Sequence, residues 1–209
     1  MLSTFPNESV RWVNPIEVIE RPVDRLDDVA LDDKDCVEID LSDRESPPVS
    51  FDPPVLGYLS KMTESLGLGL LVDAFIALKK NPELAVLKLR VTGGQMGPDV
   101  TYVNSLKKKL VTAGVDADAE FLEGFEPDHR RDFMQTISLL SVPSPRGESF
   151  GMFIAEALAA GVPVVQPDTG GYPEVVNATG GGLIYDVNDP DGLVNALESL
   201  LLDPDRARA

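Results

Sequence analysis

An α/β fold, a parallel sheet with helices on both faces, is predicted for this chain by three observations. From Val55 onward, short apolar runs alternate with longer stretches of helical periodicity. Glycine and proline punctuate the boundaries, as at Thr92-Gly93-Gly94, Pro143 and Gly161. Apolar residues make up 43 % of the 209 residues, enough to build a core and to exclude wholesale disorder. Sheets of this kind bind ligands outside the carboxyl ends of their strands. The loops that follow strands are therefore where a site is expected.

The elements follow in order. Val55-Leu56-Gly57-Tyr58-Leu59 reads as a strand, and 66–80 as a helix that ends before Asn81-Pro82. The run 85–91 is a strand stopped at Gly93-Gly94; 99–113 is a helix closed by Gly114. A short strand at 119–122 precedes a helix over 128–136, with Asp128 as its N-cap. The run 137–142 is a strand stopped by Pro143, and 149–160 is a helix whose C′ position suits Gly161. Strand 162–166 leads to a short helix at 173–177 opened by Pro173. Strand 183–185 and a last helix over 189–202 complete the series, with Gly180-Gly181-Gly182 read as a flexible turn.

Residues 1–53 read differently, as an acidic lead-in that is partly ordered at most. Positions 1–50 hold 13 acidic and 5 basic residues, and one strand-like alternation spans 37–41. The acidic run from Asp24 to Asp35 reads as a solvated face. The domain proper is expected over 54–209.

The net charge of −17 argues against nucleic-acid binding, which needs a basic surface, and against a polybasic membrane anchor. The lone cysteine, Cys36, cannot form an internal disulfide, which points to a reducing, cytoplasmic setting. The N-terminus lacks the pattern of a secretory signal. The most apolar stretch, 66–78, is broken by Asp73 and is too short to span a bilayer. No Cys/His cluster and no metal-loop spacing is present, so neither a metal nor a cofactor is expected. His129, beside Arg130 and Arg131, reads as a surface residue.

The strongest signal lies between Pro143 and Ala157: Glu148-Ser149-Phe150-Gly151 in a strand-to-helix loop, then Glu156 on the helix. Gly151 and its neighbours put unpaired N–H groups at a helix start, where a phosphate is favoured. Glu148 and Glu156 would stand about 12 Å apart were the segment helical throughout. Carboxylates accept hydrogen bonds from paired sugar hydroxyls. Two solvated carboxylates are the simpler account, but they leave unexplained why Glu156 sits between Ala155 and Ala157 in an otherwise apolar helix.

With Glu148 and Glu156, then 157–165, and then Gly170-Gly171-Tyr172-Pro173-Glu174, the chain resembles family 4 of the GT-B glycosyltransferases. The match is to their C-terminal, donor-binding domain and runs from about Pro54 to the last residue. The resemblance implies a Rossmann-like domain, the C-terminal half of a GT-B fold. It implies transfer of a sugar from a nucleotide-sugar donor to an acceptor, with retention at the anomeric carbon. It makes Glu148 the catalytic, donor-sugar residue and gives Glu156 the nucleotide ribose. Backbone amides around Ser149, Phe150 and Gly151 would meet the diphosphate, with Gly170 and Gly171 at the same rim. The loop 124–128, with Phe125 and Glu126, would touch the base.

The chain departs from that pattern. Tyr58 stands where an Arg is usual and Leu66 where a Lys is usual. Lys61 and Arg146 are the candidate substitutes for gripping the diphosphate. An N-terminal acceptor domain and further C-terminal helices are missing from the pattern, so the chain reads as a fragment that would turn over little alone. Two other readings stay open at this point: a non-catalytic GT-B-like binding module, and another GT-B enzyme such as a nucleotide-sugar epimerase or a phosphorylase-like protein.

Overall fold

The structure, a computed structural model, describes residues 49–122, 127–149 and 151–208. The expected strand at 37–41 and the acidic run lie outside the described residues.

Thirteen principal elements succeed one another among them. They are β1 (Val55–Leu59), α1 (Leu68–Leu78), β2 (Lys88–Thr92), α2 (Pro98–Ala113), β3 (Ala119–Leu122), α3 (Pro127–Met134), β4 (Leu139–Leu140), α4 (Met152–Ala159), β5 (Val164–Pro167), α5 (Tyr172–Thr179), β6 (Gly182–Tyr185), α6 (Gly192–Leu201) and α7 (Pro204–Arg208). Six strands form one parallel sheet in the order β3-β2-β1-β4-β5-β6, surrounded by the helices. The fold class is as the alternation predicts, and the strand order is that of a doubly wound Rossmann-like sheet. Sequence order reverses between β1 and β4, so the crevice outside the carboxyl ends of those two strands is the topological switch point.

Burial follows from the architecture. Strands covered on both faces read as continuous apolar runs rather than alternations. Leu56, Tyr58 and Leu59 of β1, Leu139 and Leu140 of β4, and Val164 and Val165 of β5 are all buried. From α1, Leu68, Leu71, Val72, Phe75 and Leu78 face the same core.

Several boundaries differ from expectation for identifiable reasons. Helix α1 starts at Leu68, not at 66, because Gly67 takes the left-handed conformation at its N-cap (φ 77°). Strand β2 starts at Lys88 because Pro82–Leu84 close a short 3-10 turn, in which Asn81 Oδ1 accepts the Glu83 N–H at 3.0 Å. Strand β4 shrinks to two residues because side chains take over the ladder at its end. Ser141 Oγ donates to the Val165 carbonyl at 2.7 Å, and Gln166 Oε1 accepts the Val142 N–H at 3.3 Å. Helix α3 begins at Pro127, so Asp128 stands in its first turn rather than at the cap. Helix α5 runs over Tyr172–Thr179, longer than expected. Gly180–Gly182 is not a free turn: Gly180 closes α5 and Gly182 opens β6. A further helix, α7, follows the last one the sequence predicts. Gly161 does close α4: its N–H reaches the Leu158 carbonyl at 3.0 Å, and the next N–H, of Val162, reaches Ala157 at 2.8 Å.

Candidate functional site

Three loops meet at the switch point: 60–67 after β1, 141–151 after β4, and 168–171 after β5. They are joined through backbone carbonyls, which accept from two side-chain hydroxyls and one backbone N–H. Ser144 Oγ donates to the Ser65 carbonyl, and Thr169 Oγ1 to the Ser144 carbonyl, each at 3.3 Å. The Gly171 N–H donates to the Glu148 carbonyl at 2.9 Å. Gly170 sits at φ 59° with its Cα so close to that strand of backbone that a Cβ would stand 2.5 Å from the Glu148 oxygen. Only glycine fits there, both sterically and conformationally. So the Gly170-Gly171 pair lies at the same rim as Glu148, as the sequence suggests.

Glu148 and Ser149 lie on the loop, and the helix begins three residues later than expected, at Met152, after Gly151 (φ 64°). The helical rise therefore does not set the separation of Glu148 from Glu156. Phe150, Phe125 and Glu126 lie outside the described residues. Beneath the loop, Phe153 and Tyr172 pack edge to face, with ring centroids 6.0 Å apart, and fix the starts of α4 and α5 against each other. Burial first, then Tyr102 and the Glu148 carboxylate, push the Tyr58 phenol far above its ordinary range. Burial and then Glu148 do the same to Tyr172. Both phenols therefore stay protonated.

The second glutamate is held from outside its own helix. Glu156 Oε2 accepts from Arg130 Nη2 of α3 at 2.5 Å, with the two side chains 34 % and 24 % exposed. Sequence reading missed this contact. Arg130 is 26 residues away and reads as part of a surface cluster with His129 and Arg131, of which His129 is indeed exposed.

The two candidate cations behave differently. Lys61 Nζ lies 3.5 Å from Asp99 Oδ2, at the start of α2, and is engaged there. Arg146 is exposed at the tip of the 141–151 loop and makes no ion pair among the described residues, with Glu148 or any other partner. Tyr58 is fully buried; its hydroxyl donates to the Lys61 carbonyl at 2.8 Å. It therefore ties the 60–67 loop down.

Among the described residues no three His, Cys, Asp or Glu side chains come together to hold a metal ion. No described helix is long and apolar enough to cross a membrane.

Comparison with known proteins agrees with this fold. The family model described as glycosyl transferases group 1 matches residues 41–209. A D-inositol 3-phosphate glycosyltransferase of Corynebacterium jeikeium is 29 % identical over 157 residues, which are 75 % of this chain and 37 % of that protein. The lipopolysaccharide core mannosyltransferase LpsB of Rhizobium meliloti is 33 % identical over 159 residues, 74 % of this chain and 43 % of that one. The chain thus spans about two-fifths of the length of these curated relatives. Among solved structures, the C-terminal domain of a group 1 glycosyl transferase from Francisella tularensis superposes with a TM-score of 0.65 at 20 % identity, covering 74 % of this chain and 78 % of that one. Anabaena HepE in complex with UDP and glucose gives 0.65 at 25 % identity, covering 74 % and 40 %.

Proposed function

Since the chain belongs to the glycosyl transferases group 1 family, we propose that residues 54–209 are the donor-binding half of a GT-B glycosyltransferase of family 4. In this reading it works in the cytoplasm and moves a sugar from a nucleotide-sugar donor with retention. The acceptor side belongs to a separate N-terminal domain, so the 209 residues alone turn over little. Residues 1–53 are an acidic lead-in to it.

One observation carries the reading. Glu148 stands at the switch point of the sheet, on a rim built by its backbone contacts with Gly170-Gly171, and the helix that follows this loop, α4, carries Glu156. Helix N-terminal amides favour a diphosphate. Glu148, on the loop, takes the donor sugar; Glu156 takes the ribose diol. That HepE is seen with UDP and glucose supports a nucleotide-sugar ligand for this rim. Stabilising the departing diphosphate by amides and cations is electrostatic catalysis, and no metal is required for it.

Titration calorimetry of the chain with UDP, GDP and ADP and their sugars tests this. Binding of at least one is expected; a folded sample that binds none of them overturns the donor-site reading. A second reading, a non-catalytic module that kept the fold, is favoured by one feature. Tyr58 and Leu66 replace the usual cations, and Lys61 is engaged by Asp99. Binding of nucleoside diphosphate with no added affinity from the sugar would support it.

A further inference from the structure

The Arg130–Glu156 pair joins α3 to α4 through the second glutamate. The guanidinium donates directly to the carboxylate, a charge-assisted hydrogen bond, and both side chains are partly withdrawn from water, where screening is weaker. A carboxylate has two oxygens and about four acceptor sites. Arg130 occupies one on Oε2, which leaves Oε1 and the remaining site on Oε2 for a ligand. A glutamate on a helix surface otherwise samples several rotamers; a guanidinium anchored on a second helix selects one. The pair also bears on charge. The chain carries −17 overall, and two glutamates flank the place proposed for a diphosphate. Arg130 offsets the charge of one of them, while Lys61 is spent on Asp99.

We propose that Arg130 is a positioning residue of the nucleotide site, acting through Glu156: it orients the carboxylate for the ribose hydroxyls and cancels its charge beside the diphosphate. The proposal rests on the donor-site reading above. It has a consequence that a purely structural helix-to-helix pair does not. Discrimination between ribose and 2′-deoxyribose depends on Arg130, whereas the added affinity contributed by the donor sugar does not.

The test uses the 209-residue chain and whichever of UDP, GDP or ADP it binds most tightly, together with the 2′-deoxy form of that nucleotide. The unaltered chain should prefer the ribonucleotide about tenfold, which is about 1.4 kcal/mol. Arg130→Met should weaken the ribonucleotide about tenfold and bring the ribo-to-deoxy ratio near one. Adding Glu156→Gln to Arg130→Met should cost little more, because the two act as a unit. Arg130→Lys keeps the charge but not the planar fork and should give an intermediate ratio; it carries the test if Arg130→Met does not fold. A folded variant that weakens both nucleotides equally, with the ratio unchanged, makes the pair merely structural and overturns the proposal alone. An unaltered chain that binds no nucleoside diphosphate overturns the donor-site reading and this proposal together.

Discussion

On the β1–β2 side of the rim, Gly93 lies against Ser60, and Gly67 meets Pro143 of the loop after β4, so closely that an added Cβ would stand 1.8 and 2.0 Å from a carbonyl oxygen. On the β4–β5 side, Gly170 lies against Glu148, where the same distance is 2.5 Å. The two sides are thus built alike, backbone on backbone. Their side chains differ. The β4–β5 side presents Glu148 and, on α4, Glu156 held by Arg130. The β1–β2 side presents a buried tyrosine and a lysine occupied by an aspartate. A rim whose shape rests on backbone contacts keeps that shape whatever charges line it. The fold of such a domain therefore says where a ligand sits and not how firmly its phosphates are gripped.

The largest expected effects test that shared construction. Gly170→Ala meets Glu148 backbone and also forces a side chain into the left-handed region, which alone costs roughly 1–2 kcal/mol. Its total cost should exceed about 2 kcal/mol. Gly67→Ala should cost as much, since its Cβ would meet the Pro143 carbonyl. Gly114→Ala is the control: its φ is 69° but nothing lies within 4 Å, so only the conformational part remains. Denaturant unfolding gives all three. Equal losses at Gly170 and Gly114 would show that the rim yields, and the two sides would then not be rigid in the same way.

Next in size are the two glutamates. Each lost charged hydrogen bond should cost about 1.5–3 kcal/mol of binding. Glu156→Ala should weaken nucleotide and nucleotide sugar alike, because a ribose contact is common to both. Glu148→Ala should spare the nucleoside diphosphate and remove the increment due to the sugar. Calorimetry separates these, and identical losses for both ligands in both variants would sink the division of roles.

The distinction between backbone and charge also explains what was legible in the sequence. Strand–helix alternation located nearly every element, because apolar runs and glycine or proline stops are local properties. The apolar runs of β1 and β3 coincide with the strands to the residue. Boundaries failed where a remote contact intervened, as at β4, whose ladder is taken over by Gln166 from β5. Helix α7 escapes the pattern because Pro204–Arg208 is a single turn with one apolar core residue, Ala207, too short to show a periodicity. Glu148, Gly170 and Gly171 could be placed on one rim from the rule that sites follow strands. The Arg130 contact could not, since no local pattern joins positions 26 apart on two helices.

A smaller effect should follow from Tyr58→Phe. The change keeps the buried ring and removes the hydroxyl that bonds the Lys61 carbonyl. A net hydrogen bond is worth about 0.5–1.5 kcal/mol. Faster amide hydrogen exchange over 61–67 is expected, with β4–β5 exchange unchanged. Equal acceleration on both sides would mean that Tyr58 supports the core rather than the loop.

The smallest effects concern the two remaining cations, and they decide whether the β1–β2 side has any grip at all. An exposed charge near a diphosphate contributes about 1 kcal/mol or less, and salt screens it. Lys61 is 52 % exposed and already lies 3.5 Å from Asp99, so to reach a phosphate it must leave that partner. Arg146 is exposed on the glutamate loop with no ion-pair partner among the described residues, so its engagement costs no existing bond. Arg146→Met should therefore weaken nucleoside diphosphate binding by a few fold and flatten its salt dependence. Lys61→Met should change neither. Asp99→Asn, which releases Lys61, should strengthen binding at low salt, and adding Lys61→Met should remove that gain. Affinities measured across a salt series give the answer. A loss with Lys61→Met that equals or exceeds the loss with Arg146→Met would return the grip to the β1–β2 side and reverse the contrast drawn between the two.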